Sequence, residues 1–154
     1  MRRWVYAHLP KWLQERDFEV FCGFLCILAG LPLLFGEIEP KSLEAQLPYW
    51  LIKGWATALT LGGFLTLLGI LKASTNSNAA NILGWRRMEA YGLTCLCYAG
   101  YTYGFLLLTF DWRAAFLSAM ITIIFALTCH SREIAVQLEI IEFRLALGLS
   151  HERL

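Results

Sequence analysis

Charge is scarce in this chain, and its absence is patterned. Only 16% of the 154 residues are charged, and charge is missing altogether from four stretches: Val20–Gly36, Gly54–Leu71, Ala90–Phe110 and Ala114–Ser131. These runs hold 17, 18, 21 and 18 residues, close to the ~20 that a helix needs to cross a bilayer core. A soluble bundle would keep charge on the outer face of each helix, every turn or two, and these runs have no such face. A cationic excess is lacking as well. A net charge of +1 gives no reason to expect a nucleic-acid partner, since phosphate binding needs a concentrated basic surface, and the expectation is no nucleic acid.

Motifs that carry chemistry are also missing. There is no H-E-x-x-H, no P-loop and no G-x-G-x-x-G. The five cysteines fall at Cys22, Cys26, Cys95, Cys97 and Cys129 without a pair of C-x-x-C units, which leaves a zinc knuckle unsupported. Inside such runs a cysteine behaves as a small hydrophobe. His8, His130 and His151 have no Ser or Cys beside them in a nucleophile arrangement. The span interiors hold no Asp or Glu, the buried charge on which ion-coupled transporters usually depend. The expectation is a protein that is not an enzyme and has no cofactor and no metal.

What is present predicts an all-α fold: an integral membrane four-helix bundle with spans at about 18–36, 50–71, 90–110 and 112–131. Residues 1–17 form an interfacial head carrying Trp4, Tyr6 and Trp12, and residues 132–154 a tail helix. The first run ends in "LPLLFGEIEP", without a small-x-small cleavage pattern, and reads as a retained anchor. With four spans, the head, middle loop and tail share a side and carry ten of the Lys and Arg residues, against three for the outer loops. The positive-inside rule then places both termini in the cytoplasm of a cell expressing the protein in its inner membrane. "KASTNSNAAN" reads as a flexible connection between the second and third spans.

Only Asp111, Trp112 and Arg113 separate the last two spans. A connection that short makes them an antiparallel hairpin, in which residues equally distant from Asp111 lie at equal depth. This predicts a charge cluster in which Arg86, Arg87 and Glu89 face Arg132 and Glu133. Exposed pairs of this kind orient more than they stabilise, and the same arginines could serve an anionic lipid headgroup. Small residues punctuate the second and third spans at Gly62, Gly63, Gly69, Gly92, Gly100 and Gly104. Such residues permit close helix contact, within a chain or between copies. The tail has two apolar faces: Ile134, Leu138, Ile141 and Leu145 on one, and Val136, Ile140, Phe143 and Leu147 on the other. A lone helix on a membrane needs one such face. Two faces predict two partners, the membrane or head on one side and a second copy of the chain on the other. A single helix from Ala114 to Leu147, about 50 Å long, is the alternative to a separate tail.

The entry "WRRMEAYG", the hairpin and the helical tail "SREIAVQLEIIEFRL" cover about half the chain. On these features it resembles small polytopic membrane proteins of tailed-phage and prophage genomes, some of them holin-like. The resemblance implies an inner-membrane accessory or lysis-related role. The chain departs from a typical holin in having four spans and a long structured tail. The leading expectation is a membrane scaffold or accessory protein, a homo-oligomer assembled through spans two and three and the tail. A holin-like pore is the second reading, and a small channel or uniporter the third.

Overall fold

In a computed structural model, residues 16–36, 48–76, 78–110 and 112–146 are described. They form four helices and no strand: α1 (Asp17–Phe35), α2 (Tyr49–Thr75), α3 (Ala79–Phe110) and α4 (Trp112–Ala146). Three helices are long and apolar enough to cross a membrane: α1, α2 and the Phe116–Ala146 part of α4. The chain is therefore an all-α membrane protein. The readings of the head before Arg16, of the loop 37–47, of Asp111 and of Leu147 lie outside the described residues.

Consecutive helices pack as antiparallel neighbours, α1 on α2, α2 on α3 and α3 on α4. Three helix ends are closed by local contacts. At the end of α1, Gly36 takes φ 75°, a left-handed conformation that only glycine adopts freely, and its N–H closes on the Pro32 carbonyl. Lys53 completes that cap from α2. Its ammonium donates to the carbonyl oxygens of Leu33 and Leu34 at 2.6 and 2.8 Å, and lies 5.0 Å above the Tyr49 ring. Lys53, the charge at the edge of the second uncharged run, sits inside a helix because the unpaired carbonyls at the end of a neighbouring helix satisfy it.

The flexible connection expected at "KASTNSNAAN" is largely helix. α2 continues to Thr75, and α3 begins at Ala79 with the Asn78 side chain accepting from the Ala80 N–H at 3.0 Å. Asn76 closes the other side, its amide donating to the Lys72 carbonyl at 3.0 Å. Asparagine is a good cap at helix starts, and here it turns a polar stretch into a tight reversal. α4 is likewise one helix of 35 residues, about 52 Å at 1.5 Å per residue, with no break between span and tail.

The glycines lie where helices cross, but they do not form one face. On α2, Gly63 meets α1, and a Cβ there would lie 2.5 Å from the Gly23 carbonyl oxygen. Gly62 faces Gly92, Cys95 and Leu96 of α3, while Gly69 is pressed against the Glu89 backbone. On α3 the line divides. Gly92 meets Thr66 and Gly62 of α2, whereas Gly100 meets Ala126 and Gly104 meets Ile123, both on α4. Each i, i+4 step advances about 40° round a helix of 3.6 residues per turn, so two steps carry the line from one neighbour to the next. The Gly100–Gly104 pair thus closes the hairpin within this chain. Its register matches the turn: Gly100, eleven residues before Asp111, approaches Thr122, eleven after it.

Gly69→Val should lower stability by roughly 1–3 kcal/mol through overpacking, because its Cβ would sit 2.6 Å from the Glu89 backbone nitrogen. Gly54→Ala, with nothing within 4 Å of its Cβ, should leave stability unchanged or slightly raised. Thermal unfolding of the two purified variants checks the contrast.

A buried charge network as the candidate functional site

At the end of the bundle where α1 and α3 begin, six charged side chains form one connected, electrically neutral network. Arg16 is its hub. The Arg16 guanidinium donates to Glu89 of α3 at 2.7 Å and to Glu139 of α4, and lies 3.5 Å from Glu19 of α1. Arg86 donates to the second oxygen of Glu89 at 2.8 Å. Arg132 of α4 completes the circuit, donating through Nε and a terminal nitrogen to Glu19, the Nε bond at 2.7 Å. The Glu19 and Glu89 side chains are 1% and 0% exposed. Among the described residues, no buried side-chain nitrogen or oxygen lacks a hydrogen-bond partner.

This arrangement differs from the predicted one in both partners and depth. Arg86 pairs along its own helix with Glu89, and Arg132 turns away from the hairpin to Glu19 on α1. Glu133 is held by His130 at 3.2 Å and by Gln137 at 2.8 Å on α4. Arg87 is exposed. The expected cross-hairpin ladder is replaced because Arg16 and Glu19, at the start of α1, reach the same depth and take Glu89 and Arg132 as their partners. Arg16, Glu19 and Glu139 were missed in the sequence. The signal that could have found them is that Glu19 lies at the border of the first run, at the same depth as Glu89.

Chemically the network is closed. Each of its carboxylates is engaged by a guanidinium. A buried ion pair of this kind serves register and specificity better than net stability, since desolvation offsets much of its attraction. Burial pushes the Glu89 carboxyl above the usual carboxylate range, against the opposing pull of Arg16 and Arg86.

The remaining sequence-flagged residues fall into two sets. Cys26, Cys97 and Cys129 gather in the apolar core with Leu59, Leu96 and Ala99, all three as free thiols. No group of three or more potential ligands is placed to hold a metal ion among the described residues. On the tail, Val136 and Ile140 are buried against Ala90 and Leu93 of α3, with Leu83 packed beside them. That face therefore meets the chain's own third helix. Phe143 is half-buried. The opposite face stays bare: Ile134, Leu138, Ile141 and Leu145 are about half exposed or more.

An apolar groove of about 360 Å³ opens between α2 and α3 toward the other end of the bundle, lined by Trp50, Trp55, Tyr98, Tyr103 and Leu106. Trp55 spans it, stacking on Tyr103 with ring centroids 4.5 Å apart and donating its indole N–H to the Ala99 carbonyl at 3.0 Å. No protein-family model, no curated protein and no solved structure matches this chain.

Arg16→Ala should cost roughly 3 kcal/mol, the low end for breaking a buried pair, because each buried glutamate keeps one arginine. Arg87→Ala should stay within about 0.5 kcal/mol of the parent. Denaturant unfolding in detergent measures both. The raised carboxyl of Glu89 means that the folded protein keeps this proton to a higher pH than the unfolded chain. Its contribution to stability is then fullest in acid and falls as the pH rises through the raised value. Glu89→Gln cannot titrate and should flatten the pH dependence of Tm above about pH 4.3, the ordinary glutamate value.

Proposed function

We propose that this chain is a non-enzymatic scaffold or accessory protein of the inner membrane, crossing it four times with both termini in the cytoplasm. The fourth crossing is α3. It carries 21 uncharged residues, but glycine, tyrosine and threonine dilute its hydropathy. It lies antiparallel between α2 and α4, both long and apolar enough to cross. A helix packed along two crossing neighbours traverses the same slab. Small and hydroxyl-bearing residues suit that central position. The charged network then marks the cytoplasmic border, as the distribution of Lys and Arg requires.

The observation that carries the scaffold reading is what the bundle leaves unused. Thr57, Thr60, Thr66, Thr94, Thr122 and Thr128 each donate to the carbonyl four residues earlier in their own helix. Their hydroxyls are engaged by the backbone of their own helices. The ion pairs are closed and the glycine faces are filled by neighbouring helices of the same chain. The surface left over is apolar, and among the described helices α4 carries the largest share of it.

The resemblance to small phage-encoded membrane proteins supplies the rival, a holin-like pore. Controlled expression in cells loaded with a membrane-potential dye separates the two. Growth with the potential held supports the scaffold; abrupt, timed depolarisation overturns it in favour of the pore.

A further inference from the structure

The bare edge of α4 has a period. Leu117, Ile124, Ser131, Leu138 and Leu145 recur every seven residues and are exposed. A second set, Leu127, Ile134 and Ile141, is offset from the first by three and is also exposed. These are the a and d positions of four successive heptads, the repeat that drives helices to wind round one another. In the half that lies among the apolar runs, lipid covers such an edge at no cost. Beyond Arg132 it does not. α4 continues 14 residues past that arginine to Ala146, about 21 Å at 1.5 Å per residue, with Ile134, Leu138, Ile141 and Leu145 still bare.

The structure also indicates what the edge is not for. Val136 and Ile140 hold this part of α4 along α3, where Leu83 and Ala90 receive them. The helix therefore continues the bundle axis and does not fold down onto the membrane surface, so lipid headgroups do not meet its bare side. Copies inserted with one topology are related by rotation about the membrane normal, which makes their α4 helices parallel and places like residues opposite one another. In that arrangement Gln137 of each copy comes opposite Glu142 of the other, flanking the seam. The Gln137 amide gives one donor to Glu133 and keeps a second N–H for that contact.

We infer that α4 is the seam of a parallel, in-register homodimer that runs from Leu117 to Leu145 and continues out of the bilayer. The inference rests on the scaffold reading and names its partner as a second copy of the chain. It also relocates self-association from spans two and three, where Gly62, Gly63, Gly69, Gly92, Gly100 and Gly104 meet helices of the same chain, to α4.

Disulfide crosslinking of the full chain in membranes tests it, with Leu138→Cys and Ile141→Cys as probes at two seam positions and Arg87→Cys as an exposed control. Oxidation with copper phenanthroline should give the two seam variants a reducible band at twice the chain mass, several-fold above the unsubstituted protein. Arg87→Cys should stay at the unsubstituted level. The seam is overturned by any of three results: no such band with the new thiol open to a water-soluble maleimide, no such band with the thiol labelled only by a lipid-soluble reagent, or an adduct of a different mass. Measuring membrane potential in the same cells keeps the two readings apart. A missing band with the potential held removes the seam alone; depolarisation with the band present removes the scaffold reading and leaves the seam standing.

Discussion

At the charged end of the bundle, Glu89 and its partner Arg16 together link all four helices. The backbone of Glu89 rests on Gly69 of α2, and its carboxylate is shared by Arg86 of its own helix and Arg16 at the start of α1. Arg16 passes the contact on to Glu139 of α4. A fully buried carboxylate at the edge of a membrane is expensive unless every lone pair is engaged. That demand constrains the register of α1, α3 and α4 together, because a one-turn slip of any of them moves an arginine about 5.4 Å along the axis and strands a charge.

The hydrophobic effect brings these helices into a bilayer but does not choose their pairing there, since lipid tails are as apolar as leucine. Pairing comes instead from close backbone approach and from polar contacts. Gly23 against Gly63 and Gly62 against Gly92 supply the first. Lys53 on the end of α1, Trp55 on the Ala99 carbonyl and the Arg16 network supply the second. The two kinds of contact are divided along the bundle axis. Glycines hold its middle, the ion pairs lock one end, and a lysine and a tryptophan secure the other. α4 takes part with one face only, which is why its opposite edge remains available to a second copy.

The tyrosines and glycines of α3 have a structural explanation that their count alone did not supply. Gly92, Gly100 and Gly104 receive neighbours on two sides, and Tyr103 stacks on Trp55. Tyr91 and Tyr98 point outward, exposed at 66% and 69%, as amphipathic rings do near a membrane edge or along a groove.

The four helices, the membrane class and the hairpin were legible in the sequence because each follows from one-dimensional facts: the length of an uncharged run, or a three-residue connection. So was the depth of Glu89 relative to Arg132. The partners were not, because Arg16 and Glu139 lie 123 positions apart and nothing in local pattern says which of several arginines at one depth reaches which carboxylate. The glycine line was visible as a spacing, but its division between α2 and α4 depends on how each helix is rotated in the bundle. The same holds for the tail, where the sequence showed two apolar faces and only packing against α3 decided which one stays bare. Periodicity along a chain determines that a face exists; three-dimensional placement alone determines what fills it.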